Sequence, residues 1–150
     1  MSASGDLPGA VLFICASNAI RSPMAAAILR HLAGRRVYVE SAGGRPGERD
    51  PFAIAVMDEI GVDISDHVAQ SIDDLHDLGF DRIVTLAPEA QHKALELAHG
   101  YAIDVDYWPT PDPTLASGSR DMILDAYRQV RDQLFDRVKT EFPVQAAGGV

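Results

Sequence analysis

The sequence predicts an α/β fold, a mainly parallel sheet with helices on both faces. Three observations carry that reading. Short β-branched or apolar runs alternate with helix-like segments, a pattern that implies right-handed crossovers between parallel strands. The most continuously apolar run, VLFIC at 11–15, suits a central strand buried on both sides. The helix-like segments are punctuated by serine or aspartate and proline where they begin and by glycine where they end.

In chain order, strands are expected at 11–15 (VLFIC), 37–41 (VYVES), 82–86 (RIVTL) and 103–108 (IDVDYW). Tyr107 and Trp108 are expected to finish the last of these rather than stack on a ligand. Ser22 suits the N-cap of the first helix, with Pro23 at its first helical position and Gly34 closing it. Asp50-Pro51 and Gly61 bracket a second helix, and Pro88 and Gly100 a third. The last helix is expected from about Ser119 to Phe142, with Ile123, Tyr127, Val130, Leu134 and Val138 on one face. Residues 1–150 are expected to form a single domain, with 1–9 and 144–150 as frayed tails. In an open sheet of this kind ligands bind beyond the carboxyl ends of the strands, where the winding reverses. If the second and third strands flank the first, that point lies directly after Cys15.

Composition narrows the classes. A hydrophobic fraction of 47% and a charged fraction of 23% are those of a globular protein. No apolar run approaches the ~20 residues of a membrane span. The opening MSASGDLPGA lacks the basic start and greasy middle of a signal peptide. One cysteine provides neither a disulfide framework nor a zinc site of several thiolates, and together these features predict a cytoplasmic protein. A net charge of −9 with only 13 Lys and Arg argues against nucleic acid and anionic membranes as partners. Yet Leu7 to Val39 contains no acidic residue and four arginines, at 21, 30, 35 and 36. That stretch is a place for an anion to dock.

Cys15, five residues, then Arg21 and Ser22 give the pattern C-x5-R-S between a strand and a helix. A loop of this length curls so that its backbone N–H groups point at one centre. The helix beyond adds the positive end of its dipole. Arg21 offers a planar fork for a tetrahedral oxyanion. Such a field favours the thiolate of a cysteine pointing into it, and a thiolate beneath a bound phosphate is an in-line nucleophile. Asn18 tolerates the left-handed conformation that tight curling demands. Ser22 is within reach of the thiolate or the loop backbone. The phosphate-binding residues are therefore expected to be Ala16, Ser17, Asn18, Ala19, Ile20, Arg21 and Ser22. A bare C-x5-R is as readily a small buried thiol before a helix; the strand before, the helix after, the loop asparagine and Pro23 together favour the anion loop.

The stretch VLFICASNAIRSPMA resembles the phosphate loop of the low-molecular-weight protein tyrosine phosphatase family, which includes thiol-linked arsenate reductases. The likeness extends over roughly 10–142, through ESAGG, IGVDISDH, FDRIVTL and YWPTPDP. It implies a four-stranded parallel sheet of order 2-1-3-4. It also implies that Asp112, in a loop stiffened by Pro111 and Pro113, acts as general acid and then as base. By the same resemblance Ser41 and His67 brace Asn18 from behind.

The sequence departs from that pattern in three places. Ile20 stands where many members carry a second cysteine, so an oxidised Cys15 would need an external thiol. Thr114 and Leu115 follow the Asp-Pro where phosphotyrosine enzymes tend to place tyrosines, and Ala16 replaces a larger rim residue. The loop after ESAGG is short and basic, with Arg45 and Arg49 and no tryptophan.

The resemblance implies hydrolysis of phosphate monoesters, phosphotyrosine proteins among them, through a phosphocysteine intermediate. The alternative is arsenate reduction, with an external thiol resolving a Cys15 adduct. A non-enzymatic anion-binding module fits less well with the intact trio of Cys15, Arg21 and Asp112. No cofactor is expected, since there is neither a G-x-x-x-x-G-K-[ST] loop nor a dinucleotide fingerprint. No metal site is expected either, because His76, His92 and His99 show no ligand spacing.

Overall fold

The computed structural model describes residues 7–75 and 79–143. His76 and most of the two expected tails lie outside the described residues. Four strands, β1 (Ala10–Cys15), β2 (Tyr38–Gly43), β3 (Arg82–Thr85) and β4 (Asp104–Tyr107), alternate with four helices, α1 (Arg21–Ala33), α2 (Pro51–Asp58), α3 (Pro88–Ala98) and α4 (Arg120–Glu141). The sheet is wholly parallel in the order β2-β1-β3-β4. The expected α/β class and strand order both hold. With β2 on one side of β1 and β3 on the other, the winding reverses at β1. In register Cys15 lies opposite Gly43 and Ile14 opposite Thr85, so the crevice at the carboxyl edge opens just beyond Cys15.

The period-2 alternation of a strand divides the β1 side chains between two cores. Val11, Phe13 and Cys15 face a larger one, built with Met24 and Ile28 of α1, Met57 of α2, and Tyr127, Leu134 and Val138 of α4. Leu12 and Ile14 face a smaller one with Ile83, Ala90 and Ala94 on the α3 side. Trp108 is buried, its ring edge-on to Phe13 at 5.8 Å and to Phe142 at 6.2 Å. It therefore completes the apolar end of the β4 segment, as expected.

The helix punctuation is mostly as the sequence predicts. Asp50 caps α2, its Oδ1 accepting from Phe52 N at 2.8 Å and Ala53 N at 3.3 Å, with Pro51 in the first helical turn. Ser119 caps α4, and Phe142 ends it. Gly34, Gly61 and Gly100 all take positive φ just past their helices. On α4, Ile123 is half-buried, and Leu124 is turned further inward.

The start of α1 differs from expectation. The cap position is Ile20, with no side-chain cap, and Ser22 and Pro23 lie inside the first turn. The reason is local. Ser22 N points at the Cys15 sulfur, 3.4 Å away, so an N–H that a capping side chain would satisfy is directed into the loop. The Ser22 hydroxyl is thereby released for other partners. Pro23, with no N–H to offer, costs nothing within the first turn.

Candidate active site

The loop from Cys15 to Ser22 is shaped by where its carbonyls go. Ala16 O accepts from Arg45 N at 3.0 Å, Ser17 O from Gly47 N at 2.8 Å, and Asn18 O lies 2.8 Å from His67 Nε2. A carbonyl only accepts, so that imidazole nitrogen carries the hydrogen. Three consecutive carbonyls are thus turned outward and held by neighbouring segments, which turns amides inward. Asn18 N and Ser22 N approach the Cys15 sulfur at 3.3 and 3.4 Å. The Ser22 hydroxyl lies 2.9 Å from the same sulfur. It also accepts from Asn18 Nδ2 at 2.9 Å. Donors converging on one point make a nest that stabilises negative charge there. The Cys15 side chain sits at its floor, buried.

Asn18 has φ 54°, alone in the left-handed region among the described residues that are not glycine. Its fully buried side chain is spanned on both sides: Nδ2 donates to Ser22, and Oδ1 accepts from Gln70 N at 2.9 Å. Ser41 is buried on β2, and its carbonyl accepts from Gln70 Nε2 at 2.9 Å. The bonds that hold the Asn18 side chain come from Ser22 and Gln70. Sequence reasoning missed Gln70, whose contribution to Asn18 is a main-chain N–H that any residue type supplies.

Gly43, opposite Cys15, is required by close approach. A Cβ there would lie 2.6 Å from Asn18 N and 2.8 Å from Ser17 C. The loop can fold over the end of β2 only because that position carries no side chain.

Arg21 is nearly buried, and its Nη1 donates to Thr110 O at 3.0 Å. That carbonyl lies two residues before Asp112, so the guanidinium and the Asp-Pro loop form one connected unit. Asp112 is half-buried and caps a short 3-10 turn, Pro113–Leu115. Sequence reasoning missed Thr110 for the same reason as Gln70, since its contact is a backbone carbonyl. A cleft of about 390 Å³ runs beside the Cys15 end of the loop, bounded by Cys15, Ala16, Ser17, Arg45, Ile72 and Lys93 among others. The loop after β2 therefore brings Arg45 to the mouth, whereas Arg49 turns to donate to His67 O at 2.8 Å.

Among the described residues no cluster of three or more His, Cys, Asp or Glu is placed to hold a metal ion, and no helix is long and apolar enough to cross a membrane.

Residues 10–142 match the sequence model of the low molecular weight phosphotyrosine protein phosphatase family. The chain belongs to this family. Within it, an arsenate reductase of Shouchella clausii (strain KSM-K16) is 33% identical over 132 residues, spanning 86% of this chain and 91% of that protein. A solved arsenate reductase in the phosphate binding state superposes with a TM-score of 0.74 at 28% identity, covering 88% of this chain and 95% of that one. A tyrosine phosphatase of Erwinia amylovora has the same fold, with a TM-score of 0.72 at 23% identity over 89% of this chain and 90% of the other. Proteins described as arsenate reductases and as a tyrosine phosphatase thus share this one fold.

Proposed function

We propose that this chain hydrolyses phosphate monoesters, phosphotyrosine proteins being candidate substrates, through a covalent intermediate on Cys15. The observation that carries the reading is the convergence of Asn18 N, Ser22 N and the Ser22 hydroxyl on the Cys15 sulfur, beside a guanidinium tethered to the Asp112 loop. The inward amides and the free edge of the Arg21 fork hold the non-bridging phosphate oxygens and stabilise the charge that spreads over them. The Cys15 thiolate attacks phosphorus in line. The bond from phosphorus to the leaving oxygen breaks, and Asp112 gives that oxygen its proton. The resulting Asp112 carboxylate then takes a proton from water as the water attacks the phosphocysteine, releasing inorganic phosphate and the thiolate.

Arsenate reduction is the second reading, favoured by the 33% identity to the Shouchella enzyme. Arsenate would condense with Cys15, losing water. A thiol from outside the chain then attacks the Cys15 sulfur, the S–As bond breaks with its electrons passing to arsenic, and arsenite leaves. The mixed disulfide is cleared by a second external thiol. The external source is required because the sequence holds a single cysteine.

Turnover of aryl phosphates, alkyl phosphates and arsenate with added glutathione or thioredoxin, measured on wild type, Cys15→Ser and Asp112→Ala, tests both. Cys15→Ser abolishes every turnover but still binds phosphate. Asp112→Ala lowers phosphatase kcat by roughly 10²–10⁴-fold, the usual worth of a general acid, while arsenate reduction, which needs the acid less, falls little. Wild-type consumption of arsenate without any phosphatase activity would overturn the first reading in favour of the second.

A further inference from the structure

We propose that Thr114 is a positioning residue for proton transfer: its hydroxyl fixes which oxygen of Asp112 delivers the proton to the leaving group. The inference rests on the phosphatase reading above, in which Asp112 is the acid. Thr114 occupies a position that the sequence marks as a departure, just after the Asp-Pro, where the related phosphotyrosine enzymes tend to carry a tyrosine.

Two hydrogen bonds from Thr114 end on the same atom. Thr114 N donates to Asp112 Oδ1 at 3.0 Å, and Thr114 Oγ1 lies 2.6 Å from that oxygen. The second is the shorter of the two, within the range of an O–H···O hydrogen bond. The backbone leaves little slack around this pair. Pro111 and Pro113 fix φ on either side of Asp112, and Leu115 N closes the turn onto Asp112 O at 3.2 Å. Two residues upstream, Thr110 O is taken by Arg21. With Oδ1 holding both donors, Oδ2 is the oxygen left to carry a proton. When the phosphorus–oxygen bond breaks, the leaving oxygen takes the hydrogen from Oδ2, and Oδ1 stays bound to Thr114 throughout.

The main-chain bond forms with any residue at 114, so the backbone alone would half-restrain the carboxyl group. The hydroxyl adds the second restraint, and among common side chains only serine and threonine supply it from this position. A tyrosine there would provide a ring for the mouth and no donor so close to its backbone. In this chain the rim has exchanged a stacking surface for a proton donor held in one orientation. The expected signature is therefore a dependence on how badly the leaving group needs its proton.

The experiment compares Thr114→Val, which keeps the shape and removes the donor, with Thr114→Ser, which keeps the donor. Steady-state kinetics are measured on p-nitrophenyl phosphate, phenyl phosphate and an alkyl phosphate, with Asp112→Ala in parallel. Thr114→Val is expected to lose about tenfold in kcat on phenyl and alkyl phosphates, a fraction of the whole general-acid contribution. Its loss on p-nitrophenyl phosphate is several-fold smaller, with KM little changed, and Thr114→Ser recovers most of the activity. Because Thr114 is exposed, unchanged thermal unfolding of both variants is expected and separates positioning from folding. Equal losses on all substrates, a change confined to KM, or no rescue by serine overturns the proposal. If Thr114→Val behaves like wild type while Asp112→Ala shows the leaving-group dependence, this inference alone fails. If Asp112→Ala shows none either, the assignment of Asp112 as the acid fails with it.

Discussion

Asn18 and Gly43 show how two small residues decide the shape of the loop. Asn18 accepts a positive φ and binds Ser22 and Gln70 with opposite ends of one amide, while Gly43 leaves the space through which the loop passes. Gly43→Ala forces a methyl against main-chain atoms, which cannot swing aside as a flexible side chain would. The expected cost is about 1–3 kcal/mol of stability, read by urea unfolding, together with loss of phosphate binding measured by calorimetry. Retention of wild-type phosphate affinity would show that the loop tolerates the shift. At this scale the sequence was informative about residues whose side chains lie in or bind the loop. Cys15, Asn18 and Arg21 stand out in C-x5-R, and the positive φ at Asn18 follows from its residue type. It was silent about Gln70 and Thr110, which act on the loop through main-chain atoms, and about Gly43, whose necessity exists only once two distant segments meet.

At the scale of elements, α2 and α4 are clasped at the polar edge of the larger core. Glu59 lies against both Arg128, at 2.8 Å from Nη2, and Arg131, whose Nη1 also donates to Val56 O at 2.8 Å. Hydrogen bonds from the Arg128 and Arg131 guanidiniums bring the Glu59 carboxyl from its ordinary 4.5 down to about 2. The folded protein therefore binds fewer protons at Glu59 than the unfolded chain does between those values. Its contribution is complete above pH 4.5 and disappears as pH falls toward 2. Glu59→Gln is expected to lower the unfolding midpoint at neutral pH, with the gap from wild type closing as pH falls through that window. A gap that persists unchanged at the acid end would assign the effect to packing instead. Deeper in the same interface, burial and then the hydrogen bond to Asp50 hold the Tyr127 phenol well above its ordinary titration range, so it stays a donor to Asp50 Oδ2 at 2.8 Å. The bounds of these helices were legible because Asp50, Ser119 and the closing glycines act through local physics. The start of α1 was misread because the sulfur of Cys15, seven residues from Ser22, draws the Ser22 N–H into the loop.

For the whole molecule, the candidate site and the larger core meet on β1. Phe13 points into the same core as Cys15 and packs edge-on against Trp108 at 5.8 Å and Phe142 at 6.4 Å. Phe13→Ala is expected to cost about 3–5 kcal/mol in urea unfolding, with loss of activity tracking the unfolded fraction. A fully folded but inactive variant would instead mean that the core sets the loop geometry directly. The strand alternation and the order 2-1-3-4 were readable because one strongly apolar run can only lie at the centre, and because the family likeness spans nearly the whole chain. The bonds from Arg45, Gly47, His67 and Gln70 to the loop were not, since they join parts of the chain up to 52 residues apart. They also have a consequence for selectivity. On the phosphatase reading, a cradle braced by its own scaffold holds the liberated anion by the same contacts as the anion still attached to its ester. Discrimination must then come from the rim, and free phosphate is expected to compete for the vacant seat after every cycle.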